Sequence, residues 1–348
     1  MKNIIKILLL LFSVIIISCD KSTTEPEARI KTPDEMSWTV DTLRPDGTAI
    51  QLMPRNFKAF SPKDIWLVCR SDVARGLLWH YDGKTWQESN IYGDLGGMRV
   101  DALDGSSSSD LWAVGYSGTK SFIGHYDGLK WRRYAEEFDD QLLDITKDDE
   151  GNLWACGRNG LILKYINGKW EKNYFKVNVN LEYNEAFFFI NMIYYNKKIH
   201  LLGNKYGLRG ETHYHIAGDF NSWNLMDSNR IADGSRKIGN YRLRNIDNKL
   251  YSCGVGGVWL YKDSYWEQIF FIPQQIYVMS GINRNYLLAV GPFNKFYFSE
   301  GDSWNQKAYK LNSFDEQTYF DLVWTNGFET FIAGEPNVGR YALVWHGK

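Results

Sequence analysis

Apolar positions in this chain fall in short continuous runs at regular distances. DIWLVC from Asp64, DLWAVG from Asp110, NLWACG from Asn152, KIHLLG from Lys198, KLYSCG from Lys249, YLLAVG from Tyr286 and ETFIAG from Glu329 occupy equivalent places in seven successive units. A run that is apolar at successive positions, instead of at every second one, marks a strand covered on both faces. A second marker, the tryptophan of a later strand, recurs at Trp38, Trp86, Trp131, Trp170, Trp223, Trp266 and Trp304. Its mean spacing, about 44 residues, suits a four-stranded propeller blade and exceeds a leucine-rich repeat.

Turn residues punctuate the runs. Asp82-Gly83, Asp127-Gly128 and Asn167-Gly168 stand between two apolar strands, where a two-residue hairpin is expected to place both central residues at positive φ. The last unit has strands near Phe320–Trp324, Thr330–Ala333 and Tyr341–His346 and then stops, while Ser37–Leu43 reads as a fourth strand with its tryptophan and no preceding three. The two fragments complete one unit. The expected fold is therefore all-β: a seven-bladed β-propeller of four-stranded blades over residues 37–348, its ring closed when the N-terminal strand completes the last blade.

Composition agrees with this and narrows the partners. Aromatic residues are 16% of the chain, with 14 Trp and 22 Tyr, as strand faces packed on both sides require. The formal net charge is −1 and the basic residues are scattered, so no footprint for nucleic acid is present. Residues 1–18 form a signal-like segment, with Lys2 and Lys6 ahead of the apolar run from Ile7 to Ile17. That run falls short of the about 20 apolar residues of a bilayer span. Residues 20–36 are polar and aperiodic and read as a tether.

Ile16-Ile17-Ser18-Cys19 resembles the lipobox of bacterial lipoproteins, which implies cleavage before Cys19, acylation of its thiol by fatty acid such as palmitate, and attachment to a membrane. The expected address is the bacterial cell envelope, at the outer membrane or cell surface, with the periplasm open. The three remaining cysteines, Cys69, Cys156 and Cys253, sit at equivalent strand ends and read as buried thiols. The pattern LWAVG, Gly, HYDG, Trp resembles the Trp-rich propeller repeats of secreted bacterial proteins and lipoproteins. DDEGNLWACGRNGLILKYINGKW from Asp148 is similar to the sensor propellers of two-component regulators. The resemblance covers residues 38–348 and implies a scaffold and an extracytoplasmic setting.

Function should gather on the face that carries the loops between second and third strands and those entering each blade. Asn204–Thr212 and Asp227–Arg242 read as its longest loops, with Lys176–Ala186 and Ser89–Arg99 beside them. They offer Tyr183, Asn184, Tyr206, Arg209, Arg230, Arg236, Tyr241 and Arg242 as a candidate ligand rim, aromatic faces and guanidinium forks suited to a sugar, a carboxylate or a peptide. Glu136, Glu137, Asp139 and Asp140 share one loop, in which carboxylates would serve calcium or glycoside cleavage, but nothing in their spacing fixes a geometry. His80, His125 and His346 recur at one repeat position, which points to packing. No HExxH, GxSxG or Walker pattern is present, and no catalytic, metal or cofactor residue is assigned. The reading is a monomeric binding or scaffold module for a glycan or protein. A carbohydrate-active enzyme, a sialidase-like hydrolase or a lyase, remains the alternative; Asp82–Trp86 is similar to the Asp-box of sialidase propellers but lacks its serine.

Overall fold

The computed structural model describes residues 29–45, 51–72, 77–134, 138–175, 185–207, 210–230, 238–301, 303–305, 318–336 and 340–348. Cys19 and the signal-like segment lie outside the described residues. Lys31–Lys348 forms one compact unit, and it is a propeller of seven antiparallel blades. From the channel outward, the first blade comprises Leu52–Ser61, Asp64–Ser71, Leu77–Tyr81 and Trp86–Glu88. The second comprises Arg99–Ser107, Asp110–Ser117, Lys120–Tyr126 and Trp131–Arg133, and the third Leu142–Lys147, Leu153–Gly157, Leu161–Ile166 and Lys169–Tyr174. The fourth is the longest-stranded, with Ala186–Tyr195, Lys198–Gly207, Gly210–Gly218 and Trp223–Arg230.

In the fifth blade Arg242–Ile246 pairs with the first half of the run Lys249–Lys262, and the second half pairs with Tyr265–Gln275. The reversal inside that run falls at Gly256 and Gly257, with φ of 97° and 120°. A Cβ on Gly257 would stand 1.9 Å from the Phe270 carbonyl oxygen, so only glycine fits. The sixth blade is Val278–Asn283, Tyr286–Gly291, Lys295–Glu300 and Ser303–Asn305. The seventh joins Tyr319–Thr325, Thr330–Glu335 and Ala342–Gly347 to Trp38–Leu43, which pairs in register from Trp38 opposite Gly347 to Leu43 opposite Ala342. The ring thus closes as the two chain ends require, and no blade edge is left at that seam.

Burial explains the continuous runs. Leu153–Gly157 and Tyr286–Gly291 are buried at every residue, because each sheet is covered by the next on both sides. Tryptophans lock neighbouring blades together. Trp66, Trp112 and Trp154 of the first three second strands meet Trp131, Trp170 and Trp223 of the following blade, with centroids 6.4, 5.8 and 6.3 Å apart and planes close to perpendicular. Edge-to-face pairs of this kind add about 0.5–1.5 kcal/mol each beyond the area they bury. Cys69, Cys156 and Cys253 are free and buried, as their strand-end positions imply.

The hairpin turns depart from expectation in one respect. Asn167 and Gly168 both have positive φ, 52° and 82°, but at the other two sites only Gly83 and Gly128 do. There the aspartate side chain makes the turn: Asp82 Oδ1 accepts the N–H groups of Lys84 and Thr85, each at 2.8 Å, and Asp127 Oδ1 those of Leu129 and Lys130. An aspartate that caps the loop itself replaces the left-handed conformation a mirror-type turn would demand.

Candidate functional site

In five blades the innermost strand carries a β-bulge at one equivalent place. The register jumps between Pro54 and Asn56, Val100 and Ala102, Leu142 and Asp144, Phe189 and Asn191, and Phe320 and Leu322. The residues passed over are Arg55, Asp101, Leu143, Ile190 and Asp321. In the other two blades the same place, just before Arg242 opposite Cys253 and just before Val278 opposite Val290, belongs to Tyr241 and Tyr277. A bulge residue is unpaired by the ladder, and the bend re-aims its side chain. The result is one inner layer of Arg55, Asp101, Leu143, Ile190, Tyr241, Tyr277 and Asp321, contributed one per blade.

Five of these seven border a cavity of about 370 Å³ within the innermost strands of the first five blades. The long second and third strands of the fourth blade raise one wall with Asn204, Tyr206 and Glu211, and the fifth blade adds Asn240, Arg242 and Gln275. Tyr206 is 43% exposed and marks the rim. The cavity therefore opens on the face that carries the loops between second and third strands.

Most of its polar groups hold one another. Asn204 Nδ2 donates to Tyr206 Oη at 3.1 Å, and Asn204 Oδ1 is 2.8 Å from His213 Nδ1. The Gln275 amide donates to Tyr241 Oη, and Asn240 Oδ1 accepts from Val255 N–H at 2.9 Å. Asp144 Oδ2 takes Asn191 Nδ2 at 2.7 Å and the Met192 N–H at 2.8 Å, while Asn191 Oδ1 accepts from Leu243 N–H at 2.6 Å, so one amide ties three blades. Asp101 is ion-paired with Arg70.

The guanidinium groups are held differently. Arg242 donates to the carbonyls of Ile190, Tyr241 and Arg55, at 3.3, 3.4 and 3.4 Å, so it spans from the fifth blade to the fourth and the first without a carboxylate among those acceptors. Arg55 has neither a hydrogen bond nor an ion-pair partner for its guanidinium among the described residues. Burial, with Arg70 and Arg242 beside it, lowers Arg55 to about 10. Burial also pushes the carboxyls of Asp144 and Glu211 upward and Tyr206 to about 12. Asp321, next to Arg55 round the layer, is pushed well above the carboxylate range by burial, with Glu335 adding to the effect. Positive charge thus stays on the guanidinium groups while burial favours the neutral form of these carboxyls.

Of the rim expected from sequence, Tyr206, Tyr241 and Arg242 come together at this cavity. Arg230 ends the exposed outermost strand of the fourth blade and does not border it. Tyr183, Asn184, Arg209 and Arg236 lie outside the described residues, as do Glu136 and Glu137. Asp139 pairs with Lys120, and Asp140 accepts from Asn159 and Tyr174 at 2.6 and 3.2 Å, away from the cavity. The stretches read as loops are in good part strand: Lys198–Gly207 and Gly210–Gly218 extend the fourth blade, and Ile91–Leu95 is a short helix. Arg55, Asp101 and Asp321 are not among the rim residues expected from sequence. For Asp101 and Asp321 the signal is an aspartate between apolar residues of the inner strand, VDAL and FDLV, at one offset from the strand that follows; Arg55 stands in the more polar LMPRNFKAFS and carries none.

No family model matches the chain. A curated relative, the immune protein Tsi7 of Pseudomonas aeruginosa, is 31% identical over 71 residues, 20% of this chain and 22% of Tsi7, so the match spans about a fifth of that relative's length. Among solved structures, a catalytically inactive virginiamycin B lyase from Staphylococcus aureus with quinupristin is similar with a TM-score of 0.62 and 14% identity, over 89% of this chain and 99% of the lyase. YCF48 bound to a D1 peptide is similar with a TM-score of 0.60 and 14% identity, over 93% of this chain and 98% of YCF48. At these identities the likeness is one of fold.

Proposed function

We propose that this chain is a lipid-anchored recognition module of the bacterial envelope, at the outer membrane or cell surface, which binds a protein or glycan ligand in the cavity between its first five blades. The observation that carries the reading is the cavity itself. Five successive blades converge on about 370 Å³, and a concave site with a few convergent polar groups and aromatic walls is what ligand pockets look like. Hydrogen bonds within the wall hold Asn204, Asp144 and Tyr241 in place before any ligand arrives, which lowers the ordering cost of binding. YCF48, of the same fold, holds a D1 peptide, so such a scaffold is able to present a peptide-binding surface.

The anchor rests on Lys2, Lys6, the apolar run to Ile17 and Cys19. Metabolic labelling with a clickable palmitate analogue, compared between the wild type and Cys19→Ala, tests it; equal labelling of the two would end the lipoprotein reading. For the binding site, glycan arrays and affinity capture with the chain from Ser22 onward are run on the wild type, Tyr206→Ala and Tyr241→Ala. Ligands lost in both variants support the cavity, and ligands retained in both move the site elsewhere. A catalytic reading draws on the raised carboxyls of Asp144 and Glu211 in one cavity; it predicts turnover of any captured glycan that stops in Glu211→Gln.

A further inference from the structure

The cavity holds a charge arrangement that the fold does not explain. A cation drawn out of bulk water is ordinarily paired, because the hydration it gives up is otherwise not replaced. Arg55, half-buried, is the bulge residue of the first blade, and its guanidinium has no hydrogen bond or ion pair among the described residues. Arg242 lies close enough to donate to the Arg55 carbonyl at 3.4 Å, and its other acceptors are carbonyls too. Two guanidinium groups therefore share one cavity and repel each other.

The carboxylates nearby are committed. Asp101 is engaged by Arg70, Asp144 by Asn191 and the Met192 amide, and Glu211 is bridged to Tyr206, while Asp321 and Glu335 act on Arg55 through space without reaching it as ion-pair partners. None of them forms an ion pair with Arg55 among the described residues. A guanidinium with free N–H groups in a pocket is a fork for a planar oxyanion. The fork fits a carboxylate in shape and number, two parallel N–H groups to two oxygens in one plane.

We infer that the cavity recognises a carboxylate on a peptide, an acidic side chain or chain terminus of a protein partner, gripped by the Arg55 guanidinium with Arg242 behind it and Tyr206 at the rim. This rests on the reading of the cavity as the ligand site. The surrounding Asn204, Asn240 and Gln275 amides supply donors and acceptors of the kind that a peptide backbone uses.

The test uses the full chain purified in detergent and an immobilised set of capped tripeptides, N-acetyl-Gly-X-Gly-amide, with every standard residue at X. The set is probed with the wild type, Arg55→Gln, Arg55→Lys and Tyr206→Ala, each checked for an unchanged melting temperature. The expected result is binding to the Asp and Glu peptides about tenfold or more tighter than to their Asn and Gln counterparts. The preference should vanish in Arg55→Gln and survive in part in Arg55→Lys. Equal binding of charged and neutral peptides that Tyr206→Ala abolishes would overturn carboxylate recognition and leave the cavity as the site. Glucuronate or inorganic phosphate binding where every peptide fails would overturn the peptide assignment. No binding of any probe to the wild type would remove both readings.

Discussion

The imidazole of His346 lies 3.8 Å, centroid to centroid, over the ring of Phe331, and its Nε2 is 2.6 Å from Glu329 Oε2. The same construction recurs as His80 on Trp66 with Asp64, and as His125 on Trp112 with Asp110. The acid that opens the second strand thus orients the histidine that ends the third. His346 is buried, whereas the His125 side chain is 33% exposed. Replacing His346 with Ala should cost about 2–3 kcal/mol, because it strands a carboxylate and opens the last blade, and His125→Ala about 1 kcal/mol or less. Urea denaturation of the two variants against the wild type checks the order.

Closure of the ring is testable at single peptide groups. Ser37 and Lys348 exchange two N–H···O bonds of 3.0 Å, and antiparallel alternation then places Asp41 in a hydrogen-bonded pair with Val344 and turns the Thr42 N–H outward. Both side chains are exposed. Asp41→Pro should destabilise by about 2–3 kcal/mol, and Thr42→Pro by about 1 kcal/mol or less, since only the first removes a ladder bond. Equal losses in a thermal melt would mean that the closing strand is held by its side chains alone.

Acid should weaken the fold through the fourth blade. His200 Nδ1 and His215 Nε2 are 2.8 Å apart in the core, and burial lowers them to about 4 and about 3. The unfolded chain, with ordinary histidines near 6.5, binds more protons between those values. This contribution is therefore complete above pH 6.5 and is lost as the pH falls toward 4. Glu335, raised to about 7 by burial, acts oppositely: its contribution is complete below the ordinary glutamate value and is lost as the pH rises through 7. Denaturation midpoints across pH 4 to 8 should show an acid limb that flattens in His200→Gln/His215→Gln, and a neutral limb that flattens in Glu335→Gln.

The cysteines give a reactivity prediction. Burial raises Cys69 and Cys156 well above the ordinary thiol value and Cys253 to about 12. A chain beginning at Ser22 should therefore be inert to a maleimide at neutral pH while folded and take up three equivalents in denaturant. Labelling of any one of them in the native state would show that its strand end opens.

Much of this architecture was legible because it repeats. Trp112, Gly115 and Asp127-Gly128 announce a blade through recurrence, and the incomplete units at Trp38 and His346 announce their pairing through complementarity. Of the site, Tyr206, Tyr241 and Arg242 were legible, because they stand in the polar stretches beside the fourth and fifth blades. Arg55 escaped notice because a bulge is a property of two strands: PRNF looks like any strand with one charge until its register against Val68 and Cys69 is known. The Asp-Gly turns misled for a related reason. Glycine at the third position was visible, but whether aspartate adopts a left-handed conformation or caps the loop depends on backbone N–H groups that only the folded turn assembles.

The seam between Trp38–Leu43 and Ala342–Gly347 also imposes an order on folding. Thr39 and the His346 carbonyl it meets are 307 residues apart, so the last blade has no outer strand until nearly the whole chain has left the ribosome. Blade one holds all four of its strands once Glu88 is made; the closing strand, made before any of them, must wait unpaired through every later blade. Contacts of such separation form late and slowly. During that wait the growing molecule presents an uncovered apolar sheet face at each end of the array, so the interval before closure is when it is most open to aggregation and to chaperone capture.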